Sequence, residues 1–523
     1  MMEGGGSGVG EAGVARTMGN TLLIAILLLG LALRLAPWGH NRFLEDEALY
    51  ATWGLQIATG ADPMLDEEPV DKPPLHPYML ALSFLLSALP GPSGTGPGHE
   101  TAARLPSLLA SVAGLALVYA LVEALYGERW TGLLAALLLA LSPYDLLFAS
   151  TAFTDPLMVA WVLGALLAAA KSRPGLAGLL CGLAAVTKQQ GLFFLPLIIA
   201  LALLARGRPG QAEIGSEPRG LVWLKKAWSG RWLRFLLGFA LVAAGALWWD
   251  AARLQRPGFL EQSLLSYGGL GPAEPVALGE RAAGWLSLVV AFWVSPWFNG
   301  LAAGAPVLWA AGGQAGWWRR PSRIDLALGL FCLAFLLLHW LVGFQVWDRY
   351  LLGLVPLVAV LVARALVALG EAIRSPGGRR AYGIALGVVL IATLTGPVLQ
   401  GTRSELAIGG DHGAYDGIDH LALYMRTQAP AGSVLYHYWL GYHYRFYLYG
   451  AALRLHWYPD LEDLVRDATV YRREGRYIAF PSWRDGTRVK EALAAEGLHL
   501  VPAYQTTRRD GTVSFRLYEI EGP

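Results

Sequence analysis

Between Thr21 and Leu399 the chain returns repeatedly to apolar runs close to the length needed to cross a bilayer core. Hydrocarbon offers no water to satisfy backbone N–H and C=O groups, so such runs are read as helices. Composition agrees, with 55% hydrophobic residues, 15% charged residues and a mean hydropathy of +0.42. The expected fold class is therefore an α-helical polytopic membrane protein of about 11 transmembrane helices. The spans are placed at Gly19–Pro37, Ala102–Leu125, Trp130–Phe148, Pro156–Ala170, Gly175–Thr187, Gly191–Ala205, Trp232–Trp249, one within Ala282–Ala311, Ile324–Phe344, Tyr350–Leu369 and Tyr382–Leu399. Trp38, Trp130, Trp248, Trp249, Trp317, Trp318 and Trp347 fall at predicted helix ends, where an interfacial belt would put them. Cys181 and Cys332 lie inside apolar runs and imply no disulfide framework. A net charge of +2 gives no reason to expect nucleic acid as a partner.

Three regions follow from composition. Residues 1–17 are Gly-rich and polar, and are expected to be disordered. Residues 18–400 form the membrane domain, whose first apolar run lacks a small-residue cleavage site and reads as a retained helix. Residues 401–523 are polar and aromatic-rich, and are expected to form a soluble α/β domain. Its strands are placed at Ser433–Tyr438, Arg476–Phe480, Leu498–Gln505 and Thr512–Ile520, and its helices at Ile418–Thr427, Leu461–Asp467 and Arg488–Glu496.

Orientation rests on Lys and Arg in the loops. With a cytoplasmic N-terminus, and with the short apolar segment after Pro77 lying at the interface rather than crossing, inside loops carry 17 basic residues and outside loops 8. Eleven crossings then put the C-terminal domain outside. The same arrangement gathers Asp46, Lys72, Asp155, Lys188 and Arg349-Tyr350 on the outer face, from five different connections. Convergent polar groups at a membrane face are the pattern of a site open to lipid.

Asn41–Tyr78 is an acidic stretch that directly follows the first apolar run. It holds Glu45-Asp46-Glu47, Asp66-Glu67-Glu68 and Asp71-Lys72-Pro73-Pro74. Asp66, Glu67 and Glu68 read as a solvated loop. Asp46 and Tyr50, four apart, would share one face of a short helix. A carboxylate beside a low-dielectric region can serve as a general base, and Glu45 and Glu47 would raise its pKa further. Asp155 precedes a proline at a helix start, which suits capping as well as catalysis. Lys188 could complement a helix C-terminus or hold a phosphate, and Arg349 is the residue type that grips phosphate bidentately. The run from Tyr436 to Tyr444 has closely spaced histidines but no clear metal spacing, and reads as an aromatic core or a sugar-facing surface.

FLEDEALYA, DKPPLHPY, ARLPSLLA, TAFTDPLM, GLAAVTKQQG and WDRYLLGLVPL, in that order, resemble the motifs of GT-C glycosyltransferases. The resemblance is to the family 39-like group that includes the protein O-mannosyltransferases and aminoarabinose transferases, over roughly Gly19–Leu369. It implies a glycosyltransferase of the cell membrane, multi-pass, with its active site on the extracytoplasmic face. Its donor would be a polyprenyl-phosphate sugar, and its acceptor a lipid, polysaccharide or protein. It also implies Asp46 as the base that activates or orients the acceptor, Asp155 as a second catalytic carboxylate, and Tyr50, Lys72, Lys188, Arg349 and Tyr350 as donor-phosphate contacts. Glu47 and Asp71 would support them, and Asp71 stands where many relatives carry Glu. A divalent cation is left open as a cofactor. The competing class is a lipid or sugar flippase, which would place ionisable residues near the middle of its helices rather than at one face.

Overall fold

The computed structural model describes residues 7–87, 95–204, 221–253, 257–267, 271–274, 277–470 and 475–522. Helix α1 (Ser7–Leu35) is followed by the acidic stretch, which folds into α2 (Glu45–Thr59) and α3 (Leu75–Ser87). Then come α4 (Pro97–Tyr126), α5 (Arg129–Ala140), α6 (Pro143–Ala149), α7 (Asp155–Ala170) and α8 (Pro174–Thr187). A 3-10 turn, Gln189–Phe194, leads into α9 (Leu195–Leu204). The membrane domain continues with α10 (Leu221–Ala252), α11 (Phe259–Tyr267), α12 (Leu278–Val290), α13 (Pro296–Gln314) and α14 (Arg323–Leu341). A second 3-10 turn, Asp348–Leu354, opens α15 (Val355–Glu371), and α16 (Pro376–Thr402) ends the domain.

Among the described residues, six helices are long and apolar enough to cross a membrane. A seventh span is available if α5 and α6, bent by 63° at their junction, count as one. The chain is thus a multi-pass membrane protein, but helix length does not yield the expected eleven spans. Three local features account for the difference. Pro143 cannot donate the backbone bond that would carry α5 into α6. Val294, with φ of 64°, and Pro296 divide the expected eighth span into α12 and α13. Helices α7 and α8, of 16 and 14 residues, are short for a bilayer. Helix α1 also begins at Ser7, reaching back into the stretch expected to be disordered.

Packing in the membrane domain centres on α7, which contacts α4 and α8, while α8 contacts α10. The α8–α10 approach depends on glycine. A Cβ on Gly178 would collide with the Phe235 carbonyl, and one on Gly238 with the Gly175 carbonyl. Close backbone contact of this kind is how helices associate without a hydrophobic drive between them.

The C-terminal region forms α17 (Ile418–Gln428), β1 (Val434–His437), α18 (Gly441–Tyr447), β2 (Arg454–Trp457), α19 (Leu461–Val470), β3 (Arg476–Pro481), α20 (Thr487–Ala495), β4 (His499–Thr507) and β5 (Val513–Glu521). The sheet order is β2-β1-β3-β5-β4, with β1 parallel to β2 and β3, and β5 antiparallel to β3 and β4. This small domain docks on the acidic stretch. Helix α18 packs against α2, the Phe43 and Phe446 rings meet edge-on at 4.9 Å, and Arg445 forms an ion pair with Glu68.

Candidate active site

Helix α2 starts at Glu45 with three acids in its first turn, where the N-terminal end of the helix dipole favours negative charge. Each of the three finds a different partner. Glu45 accepts a hydrogen bond from the Tyr415 hydroxyl of the C-terminal domain. Glu47 is fully buried and accepts from the Leu44 and Ala152 amides at 3.0 and 2.7 Å, tying α2 to the entry of α7. Burial pushes the Glu47 carboxyl up to about 7. Asp46 turns to Arg349, whose Nη2 donates to Oδ2 at 2.7 Å. The expected like-charge environment around Asp46 is therefore corrected, since its neighbours turn to other groups and its own partner is a cation.

Arg349 enters on the 3-10 turn before α15. Its guanidinium lies 4.8 Å from the centroids of both Phe153 and Trp347, rings from two segments. Among the described residues its side chain makes one hydrogen bond, from Nη2 to Asp46, so Nε and Nη1 remain to donate.

The second acid–cation pair is Asp155 with Lys188. Asp155 is fully buried at the first turn of α7, and its Oδ1 accepts from Nζ at 2.5 Å. Its carboxylate thus serves the lysine rather than capping the helix. Lys188 ends α8, and its ammonium stands 4.6 Å from the Tyr350 ring centroid. Tyr350 borders both pairs, as Arg349 lies 6.0 Å from the same ring. The charges of Lys72 and Arg349 both act on Lys188.

The acidic stretch supplies the rest. Lys72 Nζ donates to Asp71 at 2.7 Å, and Gln189, next to Lys188, donates to the Asp71 carbonyl at 3.2 Å. Tyr50 is buried, with its ring 5.6 Å from Trp53 and 5.5 Å from His76, and its hydroxyl lies within electrostatic reach of Arg349. Glu68, expected to be solvated, is instead buried and held by Arg445 and Gln56. Asp46, Asp71, Lys72, Asp155, Lys188, Arg349 and Tyr350 therefore converge at one end of the helix bundle, with Glu47 and Tyr50 packed beneath.

Several participants were not singled out in the sequence. Gln190 donates to the Tyr350 carbonyl at 3.0 Å and faces Nε2 of His339 at 3.1 Å. His339 Nδ1 donates to the Phe335 carbonyl at 2.9 Å, which leaves Nε2 as the acceptor for the amide. Arg281 donates to the carbonyls of His339, Trp340, Val342 and Phe344 at 2.5–3.1 Å, closing the C-terminus of α14 beside the site. Only Gln190 had a signal, as part of the quoted TKQQG motif. His339 lies within an apolar run and Arg281 ends the polar loop after the seventh expected span, and neither belongs to a quoted motif.

Among the described residues, no three His, Cys, Asp or Glu side chains are grouped to hold a metal ion, and Asp46 and Asp155 each face a cation of the chain.

Residues 71–213 match the family described as dolichyl-phosphate-mannose-protein mannosyltransferase, a stretch that includes Lys72, Asp155 and Lys188. None of the curated proteins matches the chain. Among solved structures, ArnT from Cupriavidus metallidurans bound to undecaprenyl phosphate superposes with a TM-score of 0.61 at 15% identity, covering 95% of this chain and 97% of that one. AglB from Archaeoglobus fulgidus, an oligosaccharyltransferase in complex with an inhibitory peptide and a dolichol-phosphate, gives 0.51 at 14% identity, covering 96% and 74%. An Archaeoglobus fulgidus oligosaccharyltransferase in complex with Zn and sulfate gives 0.52 at 15% identity, covering 94% and 72%. The chain has the GT-C fold, with its family 39-like match in residues 71–213.

Proposed function

We propose that this chain is a membrane glycosyltransferase that moves a sugar from a polyprenyl-phosphate carrier to an acceptor hydroxyl on the outer face of the membrane. One observation carries the reading: two acid–cation pairs, Asp46–Arg349 and Asp155–Lys188, border the same Tyr350 ring at one end of the bundle. The family match and the lipid phosphates named for ArnT and AglB support a lipid-phosphate donor. The outer face follows from the eleven-span reading of the loop charges and is the part that cysteine labelling tests.

Arg349 and Lys188 are the donor-phosphate ligands in this reading. Nε and Nη1 of Arg349 grip the phosphate while Nη2 keeps Asp46 in position. Asp155, expected as a catalytic carboxylate, holds the ammonium of Lys188 in place. Lys72 adds positive charge from the first loop. The acceptor oxygen attacks the anomeric carbon and passes its proton to Asp46. The bond from that carbon to the phosphate oxygen breaks, and the lipid phosphate leaves with its charge stabilised by the two cations. A single displacement inverts the anomeric configuration.

The test is incubation of the purified protein with a panel of polyprenyl-phosphate sugars and nucleotide sugars, read by mass spectrometry of the released lipid phosphate. Turnover is expected with a polyprenyl-linked sugar and with no nucleotide sugar. Turnover of a nucleotide sugar without lipid would overturn the mechanism. Sidedness is checked separately with an impermeant thiol reagent on intact cells. A cysteine at exposed Glu496 is expected to react and one at Arg374 is not, and the reverse pattern would invert the orientation.

A further inference from the structure

The aromatic run Tyr436–Tyr447 takes no part in the donor chemistry, yet it lies over it. Its first and last residues are core, with Tyr436, Tyr444 and Tyr447 buried. The turn between them is not. Tyr438, Trp439 and Tyr442 are 44%, 50% and 43% exposed. Leu440 produces this arrangement. It sits in the left-handed region with φ of 68°, costly for a branched side chain, and buries its own side chain while its neighbours face out. Stored strain of this kind accumulates where a surface has a task.

The turn is fixed against the candidate site. Tyr442 opens α18, which packs on α2, and the charges of Asp46, Asp71 and Glu68 act on its hydroxyl. Arg484 lies 4.3 Å from the Trp439 ring centroid. The adjacent Trp483, 45% exposed, packs edge-on to Tyr415 at 5.6 Å, and Tyr415 bonds Glu45. An arc of exposed rings thus runs from Tyr438 to Trp483, around the acidic start of α2.

We propose that this arc binds the saccharide of the acceptor, a reading that rests on the transfer function above. A pyranose presents an apolar face of C–H groups that packs on an aromatic ring, and a rim of hydroxyls that needs charged and polar partners. Tyr442, Trp439 and Trp483 supply the rings, while Arg484 and Glu45 supply the partners. A lipid surface fits poorly, because carboxylates border the rings.

The test uses the full-length protein in nanodiscs on a glycan microarray printed beside unglycosylated peptides. Wild type, assayed without any donor, is expected to bind a subset of glycans. Trp439→Ala and Tyr442→Ala are expected to lose about tenfold or more in apparent affinity, with Trp439→Phe largely retained. With no donor present the readout is independent of transfer, so a failed transfer reading does not hide a positive result here. Glycan binding unchanged in both alanine variants, absence of glycan binding by wild type, or capture of peptides alone would each overturn the proposal.

Discussion

Two charged clusters sit at opposite ends of the bundle and are built on opposite principles. At one end Arg364, near the C-terminus of α15, is surrounded. Its Nε donates to Asp325 at 3.1 Å, its Nη1 pairs with Glu128, and its guanidinium lies 4.0 Å from the Tyr126 ring centroid and 5.4 Å from that of Trp309. At the other end Arg349, fifteen residues earlier, holds a single carboxylate that is 34% exposed. The first cation meets two acids, while the second keeps donors in hand. An ion cluster that maintains a fold satisfies every donor, because an unpaired buried charge is costly. One that binds a ligand has to leave some donors unused. A third cluster, Arg34 with Asp145 and Ser111 inside the bundle, follows the first pattern, since Arg34 is fully buried and also donates to backbone carbonyls.

The comparison can be broken by substitution. Arg364→Ala strands Asp325 and part of Glu128, and is expected to cost about 3–5 kcal/mol of stability, the usual penalty for leaving one partner of a buried pair. Thermal unfolding in detergent would show it as a lowered midpoint, with donor affinity unchanged in the protein that remains folded. A midpoint like wild type would remove the structural role assigned to this cluster.

Arg349→Ala is expected to weaken donor binding by about 1.5–3 kcal/mol, the range for hydrogen bonds to charged groups, with little loss of stability because Asp46 can be rehydrated. Lys188→Ala is expected to weaken donor binding by about the same amount and also to lower the unfolding midpoint, since Asp155 is fully buried and would lose its cation. Titration with a polyprenyl phosphate checks both. Wild-type affinity in both variants would rule them out as phosphate ligands.

The clusters differed in how visible they were in the sequence. Asp46, Lys72, Asp155, Lys188 and Arg349 stood out because each interrupts apolar sequence at a helix end, and the motifs around them have a fixed order. The C-terminal domain was legible where β-branched, aromatic or amphipathic runs lay between turn residues, so four of its five strands and three of its four helices were placed within a few residues. Strand β2 is four residues, Arg454–Trp457, with no buried position, and α18 is seven residues made mostly of aromatics, so neither carries a periodic signal. Pairing was not legible at all. Asp46 meets Arg349 across 303 positions, and Glu68 meets Arg445 across 377. Helix length does not reproduce the eleven expected spans for a related reason: Pro143 and Val294 break the α5–α6 and α12–α13 runs where hydropathy stays high.

The central claim is that Asp46 acts on the acceptor while Arg349 acts on the donor. Transfer by purified Asp46→Asn, in vesicles with the preferred polyprenyl-phosphate sugar, tests it most directly when donor affinity is measured on the same sample. The account predicts donor binding close to wild type and a transfer rate lower by about 10²–10⁴-fold, the usual contribution of a general base. Transfer near the wild-type rate, with the donor bound as before, would contradict it.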